Sequence, residues 1–270
     1  MATSVTKCRT PGLAGHFESI VDKFGSNPAL VTFSTETDTR QTVSFSQLQE
    51  RIWEVSLFLC RRLGVRRGDK VFIVCHGHVI PEIVGCLACL HLAAPFVPLD
   101  LSWLQSETRV GEICADLASS GGAIAAILVG ETDRDAVVGS LRLHGVHRCV
   151  LLRPDGCLHP DLMAQLSPGD VVGDSESLNT SSDNLLSILY TSGSTGRPKG
   201  VLCSESSLMA RLQWQRHHFP WGDDVHGDAG VHGDAGGGTY RQMGCRRTPL
   251  TFVDASVELF GALLAGVPLF

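Results

Sequence analysis

Residues 70–99 carry the pattern that most constrains the fold. Lys70-Val71-Phe72-Ile73-Val74-Cys75 is apolar and β-branched, the composition of a strand buried on both faces. A helical run over residues 79–93 follows, and residues 95–99 return to strand composition. Two strands joined by a helix with short connections must lie parallel, because the chain has to cross the face of the sheet before it can run in the same direction again. The alternation continues with a helix over residues 103–117, a strand over 124–129 and, after a short connection, a strand over 147–152. Its repetition predicts an α/β fold: doubly wound, mostly parallel sheets flanked by helices.

Upstream, residues 17–22 suit a short helix leading into a hairpin of residues 28–33 and 42–45. Ser46 is placed to N-cap a helix whose Leu48, Ile52, Val55, Leu59 and Leu63 recur at helical spacing until Gly64. Residues 153–183 are polar and rich in Pro, Gly, Ser and Asp, which marks an exposed connection. Residues 185–190 are apolar again, and residues 251–264 regain helical periodicity through Val257, Leu259, Phe260 and Leu263.

Composition bounds the function. A chain of 270 residues with 43% hydrophobic content can bury a sizeable core, and a net charge of −6 gives no footprint for nucleic acid. The most apolar run, residues 83–99, is too short to span a bilayer and is broken by His91, Pro95 and Pro98. With no signal-type apolar region at the N-terminus and no peroxisomal address at the C-terminus, the expected location is the cytoplasm. The ten cysteines are scattered, as reduced core residues would be. Cys86-x-x-Cys89 sits inside an apolar helical run with no second pair to match it, so it reads as packing rather than a metal or redox site.

The chemistry concentrates at Thr191-Ser192-Gly193-Ser194-Thr195-Gly196-Arg197-Pro198-Lys199-Gly200, directly after a buried strand. Gly193 and Gly196 permit positive φ, so successive backbone N–H groups can converge on an anion. Thr191, Ser192, Ser194 and Thr195 add hydroxyl donors, Lys199 adds a compact positive charge, and Pro198 stiffens its approach. This is not a Walker loop, whose lysine is preceded by Gly and followed by Ser or Thr. Elsewhere, VHGDAG over residues 225–230 repeats over 231–236 and runs into Gly237-Gly238, a tract expected to be disordered. Its His226, Asp228, His232 and Asp234 are metal-ligating types with no prearranged geometry.

The ordered string YTSGSTGRPKG over residues 190–200 resembles the signature phosphate loop of the adenylate-forming (AMP-dependent synthetase/ligase, acyl-activating) superfamily, which includes acyl-CoA synthetases, peptide-synthetase adenylation domains and luciferases. VSFSQL over residues 43–48 and LHLAAPFVPLD over 90–100 are similar to two earlier elements of that family, in the same order, and residues 248–264 resemble the segment after the loop. The likeness covers residues 15–215 and 246–270. Glu205, where most members carry His, is similar to the β-alanine-activating, aminoadipate-semialdehyde-dehydrogenase-like subgroup.

The resemblance implies the N-terminal part of an adenylation domain over residues 1–215, a Gly/His/Asp-rich insert over 216–245 and a continuation of the domain over 246–270. It also implies ATP, Mg²⁺ arriving with the nucleotide and no resident metal, a carboxylic-acid substrate, and a CoA or carrier-protein thiol as acceptor. Thr191, Ser192, Gly193, Ser194, Thr195, Gly196 and Lys199 would hold the β- and γ-phosphates, with Thr191 and Lys199 catalytic as pyrophosphate leaves. The family's later motifs, among them its ribose-binding Tyr-x-Thr-Gly-Asp and its late catalytic lysine, do not occur in these 270 residues. Each missing transition-state donor costs about 3 to 4 kcal/mol, so the chain is expected to be a truncated, inactive form. The other reading is a non-catalytic nucleotide- or partner-binding remnant.

Overall fold

The computed structural model describes residues 12–34, 39–75, 79–129, 134–166, 184–192, 197–221 and 242–270. Helix α1 (Leu13–Phe24) leads into strands β1 (Pro28–Ser34) and β2 (Thr39–Ser44), which pair antiparallel as the hairpin pattern predicts. Helix α2 (Phe45–Arg61) begins two residues earlier than a cap at Ser46 would allow. Strand β2 runs straight to Ser44, whose hydroxyl accepts from Gln47 N while the Gln47 side chain accepts from Ser44 N, a reciprocal capping box. Phe45 is thereby the first helical residue, and it is fully buried.

Next come strand β3 (Lys70–Cys75), helix α3 (Val79–His91) and strand β4 (Phe96–Asp100), with β3 and β4 parallel over five residue pairs. The helix expected over residues 103–117 is in fact two pieces. Asp100 accepts from Ser102 N and caps a 3₁₀ turn, Leu101–Gln105, and Ser106 then accepts from Arg109 N to start helix α4 (Glu107–Ser119). Strand β5 (Ile124–Val129) is followed by helix α5 (Arg134–Leu143) inside what the sequence presents as a short connection, and then by strand β6 (Arg148–Leu152). One turn of helix, α6 (Pro160–Met163), breaks the polar connection, and residues 167–183 lie outside the described residues. Strands β7 (Leu185–Ser192) and β8 (Pro198–Ser204), helix α7 (Glu205–His218) and helix α8 (Val253–Leu263) follow among the described residues.

The large sheet has the order β6-β5-β3-β4-β7-β8, parallel except for β8, which returns antiparallel along β7. The chain starts this sheet at β3, adds β4 on one side and then β5 and β6 on the other, the doubly wound arrangement. Alternation along the strands feeds two cores. Val71, Ile73 and Phe96 face one packed by α1, α2, α3 and α8, while Phe72, Val74, Val97 and Leu99 face another packed by α4 and α5. Helix α3 is buried on nearly every side. A β-carbon on its Gly85 would come within 3.0 Å of Ile73 Cδ1, so glycine is what lets the helix lie this close to the sheet.

The C-terminal segment closes the first core. Leu269 bridges both Leu30 and Gly244, extending the β1–β2 ribbon, and the Arg246 guanidinium forms a buried ion pair with Glu82 of α3. Glu258 accepts from Arg247 N, Thr248 N and the Thr248 hydroxyl, which holds the approach to α8 and keeps the carboxyl below its usual range. No helix among the described residues is long and apolar enough to cross a membrane.

Candidate functional site

The Gly/Ser/Thr string is the turn of a β-hairpin, not a bridge from strand to helix. Thr191 pairs with Lys199, Ser192 with Pro198 and Tyr190 with Gly200, so residues 193–197 connect the two strands, 193–196 lying outside the described residues. Cross-strand partners share a face of the sheet, which puts Thr191 and Lys199 side by side, both exposed. Lys199 Nζ has no ion-pair partner among the described residues. Because β7 runs parallel to β4 and its neighbours, the turn projects from the sheet's carboxyl end, where open α/β sheets hold their ligands.

Of the residues singled out in the sequence, Thr191 and Lys199 are thus brought together. Ser192 closes β7, with its side chain outside the described residues, as are Gly193, Ser194, Thr195 and Gly196 themselves. His226, Asp228, His232 and Asp234 also lie outside them. Among the described residues no three His, Cys, Asp or Glu side chains group closely enough to hold a metal ion. Cys86 and Cys89 are fully buried in α3, and burial pushes both thiols up, away from the thiolate that metal or redox chemistry needs.

Two anchors of the hairpin are invisible in the sequence. Tyr190 is 4% exposed, and its hydroxyl donates to Asp116 Oδ2 of α4 at 2.6 Å. Burial and the neighbouring carboxylate both hold the phenol protonated, well above its ordinary range. Gly200 lies over this ring, and a β-carbon there would sit 3.2 Å from Tyr190 Cζ and from Ile188 Cγ2. On the other strand, Arg197 at the end of the turn pairs with Glu112 of α4 at 3.7 Å.

Glu205, at the start of α7, turns inward rather than towards the hairpin tip. Its carboxylate accepts from Leu13 N at 3.2 Å and from Asn184 Nδ2, and Arg67 donates to Asn184 Oδ1 at 2.8 Å. It therefore caps α1, whose own N-cap, Gly12, has no side chain to do so. Burial raises this carboxyl against the pull of those hydrogen bonds.

Comparison with known proteins gives the site its context. The family model described as AMP-binding enzyme matches residues 17–269, nearly the whole chain. The protein belongs to the AMP-binding enzyme family. Among its AMP-binding relatives, an L-proline--[L-prolyl-carrier protein] ligase of Pseudomonas fluorescens is 30% identical over 200 residues, 73% of this chain and 37% of the ligase. The beta-alanyl-bioamine nonribosomal peptide synthetase ebony of Drosophila melanogaster is 37% identical over 92 residues, 34% of this chain and 9% of that protein. In fold, the chain resembles ATP-bound MatB from Rhodopseudomonas palustris, with a TM-score of 0.67 at 20% identity over 95% of this chain and 44% of MatB. It likewise resembles the N-terminal subdomain of Klebsiella oxytoca NpsA, with a TM-score of 0.67 at 21% identity over 97% of this chain and 55% of that one. The chain thus spans well under two thirds of these relatives.

Proposed function

We propose that this domain serves ATP-dependent activation of a carboxylic acid to an acyl adenylate, with the β7–β8 turn holding the β- and γ-phosphates. The observation that carries the proposal is the exposed Thr191–Lys199 pair at the carboxyl end of the buried strand β7 and its exposed partner β8. A hydroxyl donor and an ammonium group with no ion-pair partner among the described residues, placed on adjacent strands, form a donor set suited to a polyphosphate. Thr191, Ser192, Gly193, Ser194, Thr195, Gly196 and Lys199 are the residues assigned to it. Lys199 offsets the negative charge that builds on departing pyrophosphate, and Thr191 donates to a phosphate oxygen. Mg²⁺ belongs to the bound nucleotide, where it neutralises phosphate charge.

The acceptor of the activated acyl group is a thiol, either CoA or a carrier protein, the latter being what the name of the L-proline ligase gives for its own reaction. The 270 residues alone bind nucleotide without turning it over, because the donors that would hold adenine, ribose and the transition state are not among them. Calorimetric titration with MgATP, followed by ATP–pyrophosphate exchange run with proline, β-alanine, a dicarboxylic acid, an aryl acid and a fatty acid in turn, tests both halves. The expected result is measurable MgATP binding with no exchange. Carboxylate-dependent exchange would overturn the inactivity, and the absence of MgATP binding would overturn the assignment of the turn.

A further inference from the structure

Building on the assignment of the β7–β8 connection to nucleotide phosphates, we propose that Asp116 of α4 is a positioning residue that sets the Thr191–Lys199 pair through its hydrogen bond with Tyr190. The effect of Asp116 passes through the strand.

Tyr190 is the last buried residue of β7, and Thr191, its neighbour, is exposed. The strand therefore leaves the core at this residue, and the roll of the Tyr190 side chain governs the direction in which Thr191 and its cross-strand partner Lys199 point. Two contacts fix that roll. On one side the phenol hydroxyl donates to Asp116 at 2.6 Å. On the other, the ring packs against the β8 backbone at Gly200, where no side chain intervenes and even a methyl group would press on it at 3.2 Å. The ring is thus held between a helix and the returning strand.

Helix α4 reaches the second strand as well. Glu112 lies one turn before Asp116 on the same face and pairs with Arg197. One helix thereby holds both roots of the turn, Asp116 through β7 and Glu112 at the entrance to β8. A carboxylate near a polyphosphate site would repel the ligand if its charge were free. Here the Asp116 carboxylate accepts a hydrogen bond from the phenol and Glu112 faces a guanidinium, so each is engaged with β7 or the entrance to β8. A donor array fixed before the ligand arrives binds without the cost of ordering it, which is the advantage that such bracing confers.

The test uses the full 270-residue chain and Mg²⁺ with inorganic tripolyphosphate, a probe that reports on the phosphate site alone. Dissociation constants are measured calorimetrically for the unmodified protein, Asp116→Ala, Asp116→Asn, Tyr190→Phe, the Asp116→Ala/Tyr190→Phe double variant and Lys199→Ala, well below each melting transition. Asp116→Ala and Tyr190→Phe are each expected to weaken binding about tenfold, the scale of a small misplacement of positioned groups. The double variant should bind no more weakly than either single one, and Asp116→Asn, which keeps an acceptor, should recover most of the loss. A role confined to stability would lower the melting temperature and leave these constants unchanged. If Asp116→Ala fails to fold, Tyr190→Phe, which removes one oxygen, decides alone. Tyr190→Phe binding as tightly as the unmodified protein while Lys199→Ala binds weakly overturns the role of Asp116 and leaves the phosphate turn standing. Lys199→Ala binding as tightly as the unmodified protein removes the assignment beneath it.

Discussion

Glu82 and Arg246 are 164 residues apart in sequence, and their side chains are 3% and 6% exposed where they meet between α3 and the C-terminal segment. Among the described residues Arg246 Nε and Nη1 have no hydrogen-bond partner, so Glu82 carries most of the compensation for burying this charge. Replacing Glu82 with methionine would leave a buried guanidinium without its counter-ion, and Arg246→Met would leave a buried carboxylate. Removing one member of a buried pair costs about 3–5 kcal/mol, because the remaining charge keeps its desolvation penalty and loses its attraction. In a protein of this size that lowers the melting temperature on the order of 10 °C. The Glu82→Met/Arg246→Met double variant removes both penalties and is expected within about 1 kcal/mol of the unmodified protein. Urea unfolding of all four proteins gives the coupling energy directly. Single losses below about 1 kcal/mol, or losses that simply add in the double variant, would refute the reasoning and with it the docking of residues 242–270 onto α3.

Three further predictions follow from the same coordinates. His91 is half-buried, and the desolvation of its ring lowers its pKa to about 4. The unfolded chain therefore binds the extra proton first, and stability present above pH 6.5 is lost as pH falls towards 4; urea unfolding should show the loss between pH 7 and pH 5 to be smaller by about 2 kcal/mol in His91→Gln than in the unmodified protein. Glu205→Ala leaves Leu13 N without its acceptor and is expected to cost about 1–2 kcal/mol in thermal or urea unfolding, whereas Glu205→Gln keeps the cap and most of the stability. Gly200→Ala presses a methyl group on Tyr190 and Ile188 at 3.2 Å and is expected to cost about 1–3 kcal/mol, read in the same unfolding assay.

The central strands were legible in the sequence because they are buried on both faces. β3 and β5 begin and end where the apolar runs do, since no polar face interrupts the pattern. Helix α5 was not, because its run carries few buried positions, Val137 and Leu141 among them, in otherwise polar surroundings. The division of residues 101–119 was readable in principle from Asp100 and Ser106, two capping residues six apart, but continuous helical periodicity masked the break. β8 was hidden for the opposite reason to β3: Lys199, Gly200, Val201 and Leu202 are all exposed at the sheet edge, so no alternation marks them. The composition of the turn exposed its chemistry, while its bracing depends on Tyr190 meeting Asp116 across 74 residues, a contact no local pattern announces.

The most direct test of the central claim is the phosphorus NMR spectrum of MgATP titrated with the 270-residue chain. The account predicts that the β- and γ-phosphate resonances broaden and shift on addition of the unmodified protein and much less with Lys199→Ala. Resonances that stay in place, or an identical response from Lys199→Ala, would contradict it.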